Sequence, residues 1–330
     1  RLGRDDEALS VCNSALEIRK RLRSPEQLGY SYNVRAIIFV DQLRETEARS
    51  NFQMAAEEFR KAGSRRGQGL LNIAYGRALR QLGRHIERNA QGEFDPNRQE
   101  YREAGRMLQE AVAVFRQLED AANLSEALNE HGTLLRQQQQ WDEAIVCFTE
   151  SRELAEKINN FYRVVDNLVD IAITYDYKDK DSEKALAYAA EARAMSLDEK
   201  SGLQAYNLYA KAQEVIANIL FKQGLYDDER TFKAIADACI YLWRLDPQKL
   251  GESPAKRELY YNQMVNWAGD KIVQLPSQAL VDEKTAYLIR RWEKEEQGQE
   301  KLADKYPGFI IRMRDLARDY QFLKMNPVEG

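Results

Sequence analysis

The sequence predicts an all-α chain: a right-handed α-solenoid of helix hairpins with a C-terminal helical cap. Three observations lead there. A triplet of small and bulky apolar residues at i, i+4 and i+7 recurs as Ala8/Cys12/Ala15, Ala48/Phe52/Ala55, Ala104/Leu108/Ala111, Ala144/Phe148/Ser151 and Ala185/Ala189/Ala192, at intervals of 40, 56, 40 and 41 residues. Those offsets put the three residues on one helix face, and a fixed period of this size marks a stack of helical repeats. The composition, 44% hydrophobic and 31% charged with seven prolines in 330 residues, suits helices rather than disorder. Finally, five of the seven prolines (Pro247, Pro254, Pro276, Pro307 and Pro327) fall where the triplet has stopped.

The chain enters on Leu2-Gly3-Arg4-Asp5-Asp6-Glu7-Ala8, the second half of a repeat, so a fragment of a longer polypeptide is expected. The second helix of the next unit is predicted to run on through Glu58–Gly67. The 56-residue interval implies an insertion near 85–99, where Gly92-Glu93-Phe94-Asp95-Pro96-Asn97 reads as a loop. The clearest unit is Glu126–Ile158. Its first helix carries Ala127, Leu128, Asn129 and Gly132, the glycine admitting a close neighbour at about 1 kcal/mol of helix propensity. A turn follows at Gln139-Gln140, and Trp141-Asp142-Glu143-Ala144 opens the second helix with acids that suit its dipole. In the sixth unit Gly224-Leu225-Tyr226-Asp227-Asp228 keeps the turn, but Glu229 and Lys233 replace the triplet's small and bulky residues. The expected organisation is a solenoid over 1–245, about six repeats with the first truncated, and a cap or small helical domain over 246–330 with helices near 255–274, 277–303 and 308–325.

These motifs resemble the tetratricopeptide repeat, in the long variety of about 40 residues found in kinesin light chains and in the sensor arrays of bacterial signal-transducing NTPases and defence proteins. The resemblance spans roughly residues 1–240 and is carried by Gly132, Trp141, Glu143-Ala144, Leu2-Gly3…Glu7-Ala8, Gly76…Leu82-Gly83 and Ser182-Glu183-Lys184-Ala185. It implies a protein-interaction scaffold, the sensor or regulatory region of a larger multidomain signalling or defence protein in the cytoplasm. It also implies that the first helix of each repeat lines a groove. Aligning Gly76 with Gly132 turns Arg77, Arg80, Asn129, Thr133 and Arg136 toward that groove. Arginine forks there would suit a carboxylate or phosphate, so a protein or peptide partner of anionic character is expected. The full carboxylate clamp of some co-chaperone repeats is not matched.

Chemistry has little to work with. The cysteines, Cys12, Cys147 and Cys239, are far apart and read as reduced core residues, not as a zinc site. The histidines are His85 and His131, and the latter occupies a packing position. Gly63-Ser64-Arg65-Arg66-Gly67-Gln68-Gly69 lacks the Lys-Ser/Thr ending and the preceding strand of a phosphate loop. No cofactor, metal or enzymatic activity is expected, and no apolar run reaches the length of a membrane span. Net charge is −4, from 49 basic and 53 acidic residues, which does not point to nucleic acid. Two other readings stay open: self-assembly into a homo-oligomer, and an effector activity in the C-terminal helices. Tyr206, Tyr209, Trp243, Tyr260, Tyr261, Trp267, Tyr287 and Trp292 are expected mostly in the core, with Tyr287 and Trp292 a contact site if exposed together.

Overall fold

A computed structural model describes residues 2–89, 95–178, 181–198, 204–243, 254–297, 300–305 and 307–325, with side chains outside the description at 2–6, 85–89, 242–243, 254–261, 297, 300, 305 and 320–325. Two units divide the chain, Arg1–Thr174 and Tyr175–Gly330.

In the first unit helix follows helix: α1 (Leu2–Arg21), α2 (Pro25–Asp41), α3 (Glu45–Ala62), α4 (Arg65–Asn89), α5 (Gln99–Gln117), α6 (Ala121–Gln137), α7 (Trp141–Lys157) and the start of α8 (Phe161–Lys178). The strongest packing is within the hairpins α2/α3, α4/α5 and α6/α7. The triplets lie on the second helices. Those of α3, α5 and α7 are all buried, whereas in α1 Cys12 is buried and Ala8 exposed. Alanine at the flanking positions lets the partner helix approach, and the bulky central residue fills the gap. The partner must cooperate. A Cβ on Gly132 would stand 2.8 Å from Phe148, and one on Gly76 would stand 2.8 Å from Leu108. Glycine is required at both places by close approach, not by backbone conformation.

Short turns keep the hairpins tight. Arg23, Leu43, Gly63, Glu119, Gln139 and Asn159 all adopt positive φ just after a helix. The next amide reaches back five residues in each case, as from Arg44 to Phe39 O at 2.8 Å and from Gln140 to Leu135 O at 2.9 Å. This is the Schellman closure of a helix end. Five of the six residues are not glycine, at roughly 1 kcal/mol of backbone strain each, which the packed hairpins hold in place.

The second unit contains α9 (Ser182–Ser196), α10 (Tyr206–Lys222), α11 (Glu229–Trp243), α12 (Pro254–Val273), α13 (Gln278–Lys294), a two-residue antiparallel ladder of β1 (Glu296–Gln297) and β2 (Glu300–Lys301), then α14 (Leu302–Lys305) and α15 (Gly308–Met325). The α9 triplet is fully buried. Helix α10 packs on α9 and α11, α11 on α12 and α13, and α15 on α12 and α13. Trp292 is fully buried and stacks on Phe309 with ring centroids 4.6 Å apart. It is a core residue, so the condition for a Tyr287–Trp292 contact site is not met.

Three local expectations need correction. The second helix of the early unit stops at Ala62, because Gly63 turns to φ 63° and Ser64 caps α4 by accepting from Gly67 N at 3.1 Å. Gly67 and Gly69 are helical, set against Phe59 and Phe115. The helix expected over 277–303 ends at Lys294, where the short β-ladder begins. The insertion continues α4 to Asn89 and ends in a turn in which Asn97 N donates to Asp95 Oδ1. Its loop residues 90–94, the side chains of His85, Arg88, Trp243, Tyr260 and Tyr261, and the expected 245/246 boundary lie outside the described residues.

Candidate functional site

The first helices α2, α4, α6 and α8 each bury an asparagine: Asn33, Asn72, Asn129 and Asn167. Their spacings follow the triplet's own uneven intervals, a regularity visible in the sequence but obscured by the insertion. Around the last two the amides are fully used. Asn129 Nδ2 donates to Asn167 Oδ1 at 3.1 Å and to Asp170 Oδ2 at 3.2 Å, while its Oδ1 accepts from Arg163 Nη1 at 3.0 Å. Asn167 Nδ2 donates to Ser151 Oγ at 3.0 Å and to Arg163 O at 2.8 Å. Ser151 and Ser125 exchange hydroxyl–carbonyl bonds at 2.7 and 2.9 Å, tying α6 to α7.

The five residues expected to line the groove fall in two clusters, one between α4 and α6 and one between α6 and α8. Arg77 on α4 donates from Nε to Glu130 and from Nη2 to Glu126 on α6, both at 2.7 Å. Arg80 Nη2 reaches the other Glu130 oxygen at 3.1 Å. Arg136 on α6 donates to Asp170 Oδ1 at 2.8 Å and to its carbonyl at 3.2 Å, lying over the Phe148 ring 5.4 Å from its centroid. Thr133 Oγ1 donates to Asn129 O at 3.0 Å within its own helix, so it bonds a backbone carbonyl of α6. Arg77 and Arg80 are thus brought together on Glu130, between α4 and α6, and Asn129 and Arg136 on Asp170, between α6 and α8.

The structure differs from the expected open basic groove in one respect. Arg77, Arg80, Arg136 and Arg163 meet Glu126, Glu130, Asp166 and Asp170, four cations against four carboxylates. Glu126, Glu130 and Asp170 sit on the helix next to their arginines and join successive repeats, whereas Asp166 pairs with Arg163 within α8. The pairs are not equivalent. Arg80–Glu130 and Arg136–Asp170 have side chains 11–17% exposed, whereas Arg77 and Glu126 are 36% and 34% exposed. Exposed pairs contribute about 0–1 kcal/mol, but removing one member of a buried pair costs several. Arg77–Glu126 is therefore exchangeable and the others are structural.

One nucleophile–base contact does occur. Cys147 Sγ lies 3.7 Å from His131 Nδ1. Burial pushes the Cys147 thiol up to about 11 and lowers the His131 imidazole, so both stay neutral near pH 7. A thiolate–imidazolium nucleophile would require the opposite shifts. Beside α4, an apolar cavity of about 280 Å³ is bounded by Val40, Leu43, Phe52, Tyr75 and Leu82, with Arg49 at its side. Among the described residues no helix is long and apolar enough to cross a membrane, and no cluster of three metal-ligating side chains occurs.

Residues 97–157 and 123–198 match the tetratricopeptide repeat family model. No curated protein matches significantly. Among solved structures, BtubC (BKLC) from P. vanneervenii is similar at 15% identity and a TM-score of 0.55, covering 72% of this chain and 90% of its own. The apo form of RapI is similar at 14% identity and a TM-score of 0.53, covering 90% of this chain and 97% of its own. At these identities the likeness is one of fold.

Proposed function

We propose that the chain is a protein-interaction scaffold built on the tetratricopeptide repeats matched at 97–157 and 123–198, and that α4, α6 and α8 together receive a segment of a partner protein. The observation that carries this reading is the pair of polar clusters linking those helices, buried and rigid at Asn129 and Asn167 but about one-third exposed and exchangeable at Arg77 and Glu126. A rigid, hydrogen-bonded surface loses little entropy when a partner binds. The segment carries a carboxylate that displaces Glu126 from Arg77, and it contacts the remaining network through neutral polar groups. Its anionic character is thus confined to about one position, and binding falls only shallowly with salt.

The setting, a sensor or regulatory region of a larger multidomain signalling or defence protein, rests on the resemblance of the long repeats. The C-terminal helices act as a cap, supported by Ala268 and Ile272 of α12 and Val281 of α13, which are all buried.

A photo-crosslinking residue at Thr133, compared with one at Val146 on α7, which is 64% exposed, tests the assignment. Position 133 is expected to capture a discrete partner, and Arg77→Glu is expected to remove that capture. Equal capture of the same proteins from both positions, or capture that Arg77→Glu leaves intact, would refute it.

A further inference from the structure

We propose that the cavity between α9, α10 and α11 binds a small organic anion: an apolar body bearing a carboxylate or phosphate and a hydroxyl or ammonium donor. The cavity holds about 470 Å³, within the range of small-molecule sites. Three features of its wall select that ligand.

The rim is cationic. Arg193, Arg230 and Lys233 line it from α9 and α11. Arg230 is held by Asp228, its Nε at 3.0 Å and its Nη2 at 2.6 Å from that carboxylate. Among the described residues neither Arg193 nor Lys233 has a carboxylate partner, so two positive charges face the opening uncompensated. An anionic group would pair with both.

The sides are apolar, formed by Leu186, Ile216 and Leu220. They take the ligand's body.

The floor is polar and incomplete. Gln213 and Asp237 are 2% and 4% exposed. Gln213 Nε2 donates to Asp237 Oδ2 and to the Tyr209 hydroxyl, both at 3.0 Å, and Arg291 Nη2 neutralises Asp237 at 2.8 Å. Gln213 Oε1 is buried with no hydrogen-bond partner. An acceptor left without a donor in a buried site is unfavourable. A ligand hydroxyl or ammonium at the floor, with a small shift of the amide, would supply one.

The site lies wholly in the second unit and does not depend on the partner-binding reading of the first. Calorimetric titration of the whole chain with 4-hydroxyphenylacetate as the probe tests it, with phenylacetate, 4-methylphenol and acetate lacking the donor, the anion and the body in turn. The expected result is one saturable site for the probe, with each of the other three weaker by about tenfold or more. Arg193→Glu/Lys233→Glu, changes at exposed positions, should weaken the probe by about tenfold or more. Ala190→Trp, which fills the cavity from a half-exposed wall position, should abolish binding. Absence of saturable binding, equal binding of the four compounds, or unchanged binding in a folded Arg193→Glu/Lys233→Glu chain would overturn the proposal.

Discussion

Asn167 on α8 and Gln213 on α10 are both buried side-chain amides on the first helix of a repeat, yet their surroundings differ. Asn167 accepts from Asn129 and donates to Ser151 and Arg163, so every direction of its amide is met. Gln213 donates twice and accepts nothing. The first arrangement belongs to a network that joins α6, α7 and α8, and Asn167 finds its partners within it. The second leaves a buried acceptor unpaired on a side chain that lines a cavity. One added methylene separates the two amides, but its consequence depends on the neighbours: a satisfied buried network specifies a structure, whereas an unsatisfied one points to a missing group.

The comparison breaks most readily at the first network. Glu130→Leu removes the carboxylate shared by Arg77 and Arg80. Arg77 keeps Glu126, but Arg80, only 11% exposed and already carrying an unpartnered Nε, is left with a buried charge. A loss of about 3 kcal/mol in local stability is expected, read as faster amide hydrogen exchange in α4 and α6. Arg77→Ala removes the exposed pair with Glu126 and leaves Glu130 still held by Arg80, so it should cost less than about 1 kcal/mol. Equal losses would mean that the distinction between structural and exchangeable pairs is wrong.

Much of this was legible in the residues, for reasons that also explain what was not. The triplets were visible because small residues are required wherever two helices approach, as at Ala144/Phe148 against Gly132. The turns were less so. Leu43, Glu119 and Gln139 take a left-handed backbone that tertiary packing imposes and residue type does not announce. The arginines at 77, 80 and 136 stand out in the sequence, but their partners do not. A carboxylate at Glu130 or Asp170 looks the same in sequence whether it faces water or an arginine two helices away. The asparagine series needed the spacing 33, 72, 129 and 167 to be compared with the triplet's interval, because no single asparagine is distinctive.

The next measurement sharpens the contrast between the two amides. Asn167→Leu keeps the volume but strips Asn129, Ser151 and the Arg163 carbonyl of a partner, and should cost about 1–3 kcal/mol by hydrogen exchange in α6–α8. Gln213→Leu gives up two donated bonds but also removes the orphan acceptor, so its expected cost is below about 1 kcal/mol. If Gln213→Leu is as damaging as Asn167→Leu, its oxygen is not the weak point of the second unit.

The smallest effect concerns reactivity rather than stability, and it decides whether the Cys147–His131 contact is chemistry or packing. The thiol's pKa is raised from 9.0 to about 11, first by burial and then by Glu150. The sign follows directly: a folded value above the unfolded one favours the neutral thiol, so its contribution to stability is complete below about pH 9 and lost as pH rises through about 11. The reactive thiolate is then about a hundredfold scarcer at pH 7.5 than for an ordinary cysteine. Alkylation of Cys147 by iodoacetamide, followed by peptide mass, should be correspondingly slow and rise with a midpoint near pH 11. His131→Ala should leave that profile in place, because an imidazole kept neutral by burial forms no ion pair with the sulfur. A midpoint below pH 8 that moves upward in His131→Ala would show a thiolate–imidazolium pair after all. Catalysis would then re-enter in the very repeat where the network of buried amides is most complete.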